Sequence, residues 1–331
     1  MDICIRAETY SNEHRSPLVP KDVSRLVKKG YRILVEKSEA RAFSDDEFQY
    51  AGAELTDVKW FDQKPASRIL IIGLKELDHI ELLNRHSHVY FSHSFKKQIG
   101  AERVLSAFKN SESSLYDLES FRDEKGVRTL AFGFYAGMVG AILGLKQNYN
   151  RKLGLEDIAN LKPWSSLDEM HEFGRRCISY AAIVGNGRCS KGVQTILKRF
   201  GMGYDVIEKD QTVVPCVYDI IFNCISLDDS YNKIWISPEY EHKKSLLVVD
   251  ISCDYTKANN PIAIYKEATT WAEPVFNYNK YISVIAIENL PSLLPRESST
   301  EFSGLLTNLI LRYGDEEWNR CLEEFSEAAK L

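Results

Sequence analysis

The sequence predicts an α/β fold of two domains, each an open, mostly parallel sheet with helices on both faces. Three observations lead to it. The chain has 331 residues, enough for two domains of ordinary size with real cores. Short apolar runs alternate with helical patterns from its start, the order that builds parallel sheets. Finally, an apolar run, Ala181-Ala182-Ile183-Val184, meets a turn with two glycines, Gly185-Asn186-Gly187, and a helical pattern follows through Arg188, Cys189, Ser190, Lys191 and Gly192. In that arrangement backbone N–H groups can approach a diphosphate, and the helix N-terminus adds favourable partial charge.

The elements run in order. Residues 3–8 read as a strand ending in charge, and Pro20 opens a helix over 20–27. A strand over 31–36 and a helix over 45–53 follow. The strands over 68–75 and 88–93 end in Lys75 and His93. A helix over 102–110, a strand over 115–119 and a charged turn at 123–126 precede an apolar, small-residue helix over 128–144, which opens on Arg128. The polar stretch 146–163 reads as a surface crossing between domains. A helix over 166–178 then leads into the glycine stretch. Further strands fall at 204–208, 219–225, 245–251 and 281–287; a Pro-punctuated loop at 288–297 and helices over 298–312 and 315–329 close the chain.

Composition excludes several classes. The 44% hydrophobic and 27% charged fractions are those of a globular protein, and a net charge of -5 argues against a nucleic-acid partner. No apolar run approaches the roughly 18 residues a membrane span needs. The start, Met1-Asp2-Ile3-Cys4-Ile5-Arg6, lacks a signal-peptide core, so a cytoplasmic location is expected. Seven cysteines form no C-x-x-C pair and are odd in number, which points to no disulfide framework and no metal site.

Two groups of residues carry chemistry. The dinucleotide fingerprint is G-x-G-x-x-G; Gly185 and Gly187 fill its first two places, and Ser190 stands in the third, with Gly192 two residues later. An acid about 20 residues past the glycines hydrogen-bonds the adenosine ribose and repels a 2′-phosphate. Glu208 and Asp210 hold that place and favour NAD, while Lys209 between them leaves NADP open. Asp250 and Glu288, in and after the runs 245–251 and 281–287, complete the expected cofactor set with Arg188 and Cys189. The second group is Arg15, Lys75 and His93, each just past an apolar run, where open sheets bind their ligands. Alone, Lys75 reads as a solvated strand-end lysine and His93 as a histidine tied to a carbonyl. Three such ends together suit a small anionic substrate.

Several segments in order over nearly the whole chain resemble NAD-dependent, lysine-forming saccharopine dehydrogenase. They are Arg6-Ala7-Glu8-Thr9, Ile71-Ile72-Gly73-Leu74-Lys75-Glu76, Tyr116-Asp117-Leu118-Glu119, the run from Ala131 to Gly137, Gly187-Arg188-Cys189, Phe222-Asn223-Cys224-Ile225, Asn260-Pro261-Ile262 and the run from Leu290 to Glu297. More distantly the pattern is similar to alanine dehydrogenase and N5-(carboxyethyl)ornithine synthase. The resemblance implies two Rossmann-like domains with the active site in the cleft between them. Residues 1–145 with 291–331 would form the substrate and catalytic domain, and 146–290 the NAD-binding domain. It implies acid–base roles for Lys75 and His93, carboxylates at Glu76 and Glu119, and substrate carboxylates held by Arg15 and Arg128, with Lys96 as a further cation.

The sequence departs from that pattern in three places: a glycine loop one residue shorter, Glu288-Asn289 where Asp-His is usual, and trimmed loops between 145 and 240. The implied reaction is reversible NAD-dependent cleavage of saccharopine to lysine and 2-oxoglutarate by a monomer. Two alternatives stand beside it: another opine-type dehydrogenase, such as N5-(carboxyethyl)ornithine synthase using pyruvate, and a non-catalytic dinucleotide-binding protein.

Overall fold

The computed structural model describes residues 1–64, 68–95, 100–228, 230–241 and 243–330. Its contacts divide into two compact units, Met1–Ala131 with Pro295–Leu331, and Phe132–Leu294.

The first unit begins with β1 (Asp2–Ile5), α1 (Pro20–Lys28), β2 (Arg32–Glu36), α2 (Asp45–Tyr50) and β3 (Glu54–Thr56). Pro20 stands in the first turn of α1, where its missing N–H costs nothing. Ser44 and Glu47 close a capping box on α2. Next come β4 (Leu70–Ile72), β5 (Ser87–Tyr90), α3 (Ala101–Asn110) and β6 (Ser114–Asp117). The six strands order as β3-β2-β1-β4-β5-β6 and every described pairing is parallel. This is the doubly wound order, and it reverses direction between β1 and β4.

The second unit opens with α4 (Gly133–Lys152) and α5 (Leu167–Phe173), then β7 (Tyr180–Val184), α6 (Arg188–Arg199) and β8 (Gly203–Ile207). It continues with β9 (Ile220–Asn223), β10 (Leu246–Asp250), β11 (Phe276–Asn277) and β12 (Ile282–Ile285). The order is β11-β12-β10-β9-β7-β8, parallel except for β11. Alternate residues of each strand enter different cores. Ala181, Ile183, Phe222, Leu247 and Val249 pack with α4, α5 and α6. Ala182, Val184, Ile221, Leu246 and Val248 pack with Tyr231, Trp235, Ile236, Ile262 and Tyr265. Both faces are buried, as a parallel sheet requires. The helical layer expected on the second face is replaced by irregular segments.

The chain then returns to the first unit as α7 (Pro295–Ile310) and α8 (Glu316–Ala328). Helix α7 is buried although rich in serine, because its hydroxyls serve the loop before α1. Ser299 and Ser303 accept the Ser16 and Val19 N–H groups, each at 2.9 Å, and Ser303 donates to Asp22 at 2.7 Å. Phe302 is fully buried, and Phe325 of α8 packs with Phe108, Leu115 and Tyr90.

The expected crossing at 146–163 is corrected. Its first residues continue α4, whose whole length belongs to the second unit, so the boundary lies at 131/132 rather than 145/146. Three of their polar side chains, Gln147, Asn148 and Asn150, are buried and employed. Gln147 accepts the Ile158 N–H at 3.0 Å, Asn148 donates to Ser179 at 2.7 Å, and Asn150 donates to the Glu156 carbonyl at 2.7 Å. Arg151 donates to the Leu246 and Tyr281 carbonyls at 2.9 and 2.8 Å, closing the amino ends of two strands. The return boundary, expected at 290/291, lies at 294/295.

Helices α4 and α6 touch through their backbones. A Cβ on Gly137 would lie 2.0 Å from the Cys189 carbonyl oxygen, and one on Gly192 would lie 2.0 Å from that of Phe134. Alanine in place of glycine normally stabilises a helix by about 1 kcal/mol. Here the forced separation costs about 1–3 kcal/mol and wins. Gly137→Ala is therefore expected to lower the urea midpoint, and an unchanged or raised midpoint would remove the contact as a constraint.

His88 of β5 is fully buried, edge-on to Trp60 and Phe108, and neither ring nitrogen has a hydrogen-bond partner. Burial holds its pKa well below the usual histidine range, so the fold keeps the ring neutral. The unfolded chain takes up that proton near pH 6.5, so this stability is present above that value and lost as pH falls below it. Melting from pH 7.5 to 5.5 should lower Tm more in the native protein than in His88→Phe. Equal drops would exclude this histidine.

Candidate active site at the strand ends

The direction reversal between β1 and β4 places a crevice beyond the carboxyl ends of those strands. Arg6 and Glu8 follow β1, Lys75 and Glu76 follow β4, His93 follows β5 and Glu119 follows β6. The register of the sheet brings these ends to one edge.

His93 sits in the left-handed region, φ 52°, which histidine adopts more readily than bulkier residues and which is met at functional turns. Its Nδ1 lies 3.5 Å from Glu119 Oε2, while Arg128 Nη1 donates to Glu119 Oε1 at 3.1 Å. One carboxylate thus holds an imidazole and a guanidinium. The Glu119 hydrogen bond, with its charge and those of Asp117 and Glu76, raises the His93 pKa above its ordinary value against the effect of burial. Arg128 is further fixed by donating from Nε to the Leu130 carbonyl at 2.7 Å, and it lies 5.5 Å from the centre of the Phe91 ring. Beneath this group Asp117 is buried; it accepts from the Ser92 hydroxyl at 2.6 Å and the Glu119 N–H at 2.9 Å. Burial pushes the Asp117 carboxyl up.

Lys75 has a different setting. Its ammonium lies 4.7 Å from the centre of the Tyr10 ring, and its N–H donates to Glu8 at 3.0 Å, beside that of Leu74 at 2.6 Å. Burial pushes the Glu8 carboxyl up against the Arg6 charge 3.4 Å away. Arg6 also donates to the Lys75 carbonyl and crosses directly over Gly73, where a Cβ would lie 2.2 Å from the guanidinium. Only glycine lets that arginine through.

Arg15 is buried, and it grips Glu13 with a fork, Nε to Oε1 at 2.7 Å and Nη2 to Oε2 at 2.5 Å. Burial alone would raise the Glu13 carboxyl, but Arg15 and the Lys75 charge bring it below the usual range. Much of the Arg15 charge is thereby neutralised inside the protein. Glu76 is exposed, and Lys96 lies outside the described residues. Sequence reasoning gave no role to Arg6, Glu8, Tyr10, Glu13 or Asp117. For Arg6, Glu8 and Asp117 the signal that found Lys75, a polar group closing an apolar run, was present.

In the second unit the direction of the sheet reverses at β7, with β8 on one side and β9 on the other. The loop after β7 holds Gly185 at φ 103°, its hypothetical Cβ 3.1 Å from the Cys224 carbonyl. A Cβ on Gly187 would meet nothing within 4 Å, so open space stands before the first turn of α6. That space, the helix N-terminus and the acid at the end of β8 fit a dinucleotide diphosphate and ribose. Gly185, Gly187, Arg188 and Glu208 could hold them. Ser190 is fully buried and its hydroxyl accepts from Gln194 at 3.1 Å. Two residues on, Gly192 lets α6 approach α4 closely, as Gly137 does from the other side.

Asn186, unassigned from sequence, donates to Glu208 at 3.0 Å. Cys189 and Cys224 place their thiols 2.9 Å apart. Asp210 is exposed, and Glu288 accepts from the Tyr255 hydroxyl at 3.0 Å. Asp250 is corrected: it is fully buried, Oδ1 accepting from Asn223 and the Cys253 N–H and Oδ2 from Tyr265, and it offers a cofactor nothing. Among the described residues no cluster of His, Cys, Asp and Glu could hold a metal ion, and no helix is long and apolar enough to cross a membrane.

Comparison with known proteins places the fold and the family. The alanine dehydrogenase/PNT N-terminal domain family matches residues 4–139. An L-alanine dehydrogenase structure superposes with a TM-score of 0.71 over 99% of this chain and 94% of its own, at 12% identity, a likeness of fold. The saccharopine dehydrogenase [NAD(+), L-lysine-forming] of Candida glabrata is 36% identical over 90% of this chain and 88% of its own. That of Neurospora crassa is 35% identical over 98% of this chain and 95% of its own. The chain belongs to the NAD-linked, lysine-forming saccharopine dehydrogenase family.

Proposed function

We propose that the chain catalyses the reversible NAD-dependent cleavage of saccharopine to L-lysine and 2-oxoglutarate. The observation that carries this is one carboxylate, Glu119, holding both an imidazole and a guanidinium at the strand ends. NAD, when bound, supplies the hydride acceptor; oxidation of the secondary amine leaves a C=N bond that water then opens. The remaining work is proton transfer and carboxylate binding. His93 presents Nε2 to the substrate while Glu119 holds Nδ1, so it can accept a proton from the amine or from the attacking water. Lys75 supplies a second acid–base group, its backbone fixed by Glu8. Arg128 and Arg15 are the guanidinium groups we assign to the substrate carboxylates, each oriented by a glutamate. Its cysteines are free thiols, which accords with a reducing compartment, and we place the reaction in the cytoplasm.

The deciding assay is NADH oxidation with lysine against ornithine, crossed with 2-oxoglutarate against pyruvate. The lysine and 2-oxoglutarate pair is expected to turn over at least tenfold faster than any other. Preference for ornithine with pyruvate would move the chain to carboxyethyl-amino-acid chemistry. Glu119→Gln tests the proton relay. In the oxidative direction neutral His93 is the active form, so the rate rises with pH through its pKa. Loss of the Glu119 charge lowers that pKa and should move the limb to lower pH, with kcat/KM reduced because Arg128 loses its partner. A limb that stays in place would separate Glu119 from His93.

A further inference from the structure

Lys209 stands between Glu208 and Asp210, directly after β8, the position from which a cation ordinarily reaches the 2′-phosphate of NADP. Here it is turned elsewhere. Its Nζ donates to the Ser226 carbonyl at 3.0 Å, pairs with the Asp228 carboxylate and lies 5.6 Å from the centre of the Tyr231 ring. The loop carrying Asp228 is itself tied down. Asn259 donates to the Asp228 and Tyr231 carbonyls at 2.8 and 3.0 Å, and Lys257 donates to the Leu227 carbonyl at 2.9 Å. The Ser230 N–H caps Asp228 Oδ1 at 3.0 Å. On the other side, Gln211 accepts the Glu208 N–H at 2.8 Å and Asn186 donates to its carboxylate at 3.0 Å. The acid is presented and the base beside it is withdrawn.

We propose that Asp228 is a specificity-determining positioning residue: by sequestering Lys209 it leaves the Glu208 carboxylate, oriented by Asn186, to face the ribose alone, and so selects NAD against NADP. This rests on the cofactor reading above and adds how the choice is made. Residues distant in sequence make the selection, and the local pattern of acid, lysine and acid does not reveal it.

The test is equilibrium binding of NADH and NADPH to the whole protein, read by nucleotide fluorescence, with circular dichroism melts to confirm folding. The native protein should bind NADH more tightly. Asp228→Asn should tighten NADPH about 3- to 5-fold, the worth of one exposed charge pair, and leave NADH within twofold. The gain should vanish when Lys209→Ala is added, because the effect runs through that ammonium. Asn186→Ala should weaken NADH more than NADPH. An Asp228→Asn protein with native NADPH affinity, or a gain that survives without Lys209, overturns the proposal while the cofactor reading stands. A native protein that binds neither nucleotide overturns both.

Discussion

The backbone contact between α4 and α6 is the constraint on which the second unit depends. With Cβ positions only 2.0 Å from opposing carbonyls, Gly137 and Gly192 fix how near the helices lie. Helix α6 begins at the glycine turn, so the direction of its N-terminus is set by this packing as well as by β7. Ser190, which stands in the place of the fingerprint's third glycine, is fully buried, its hydroxyl accepting from Gln194.

In the first unit the corresponding constraint is electrostatic. Three arginines among the described residues of the site are each paired with a carboxylate: Arg128 with Glu119, Arg15 with Glu13, and Arg6 with Glu8. Buried charges demand such partners, since an isolated one costs far more than the pair. The pairing also immobilises the side chains, so the entropy of ordering them is lost on folding and not again on binding. The site is a set of orientations maintained by internal counter-charges.

Much of this was legible in the sequence. Apolar runs bounded by charge located the strands, because a parallel sheet buried on both faces demands continuous apolar stretches. The same runs located Lys75, His93 and the glycine turn, because open sheets bind ligands at strand ends. Less was legible where a side chain's partner is remote. Gln147, Asn148 and Asn150 read as solvent-facing, yet they are buried, Gln147 and Asn150 serving the Ile158 and Glu156 backbone and Asn148 the Ser179 hydroxyl. Asp250 looked like an available acid because nothing in its own run reveals Tyr265 and Asn223 closing over it. Arg15 looked like a free cation because Glu13, two residues back, reads as a surface acid until the loop folds it inward. Strand β3, three residues long, and β11, two, were too short for periodicity to register.

The route of the chain has a consequence for its synthesis. The second unit is contiguous from Phe132 to Leu294, and it can close its core once that stretch has left the ribosome. The first unit cannot. Phe302 and Trp318 fill its interior, and serines of α7 satisfy the loop before α1 across more than 280 positions. The first unit is therefore discontinuous: α7 and α8, which complete its core, follow the whole of the second unit in sequence.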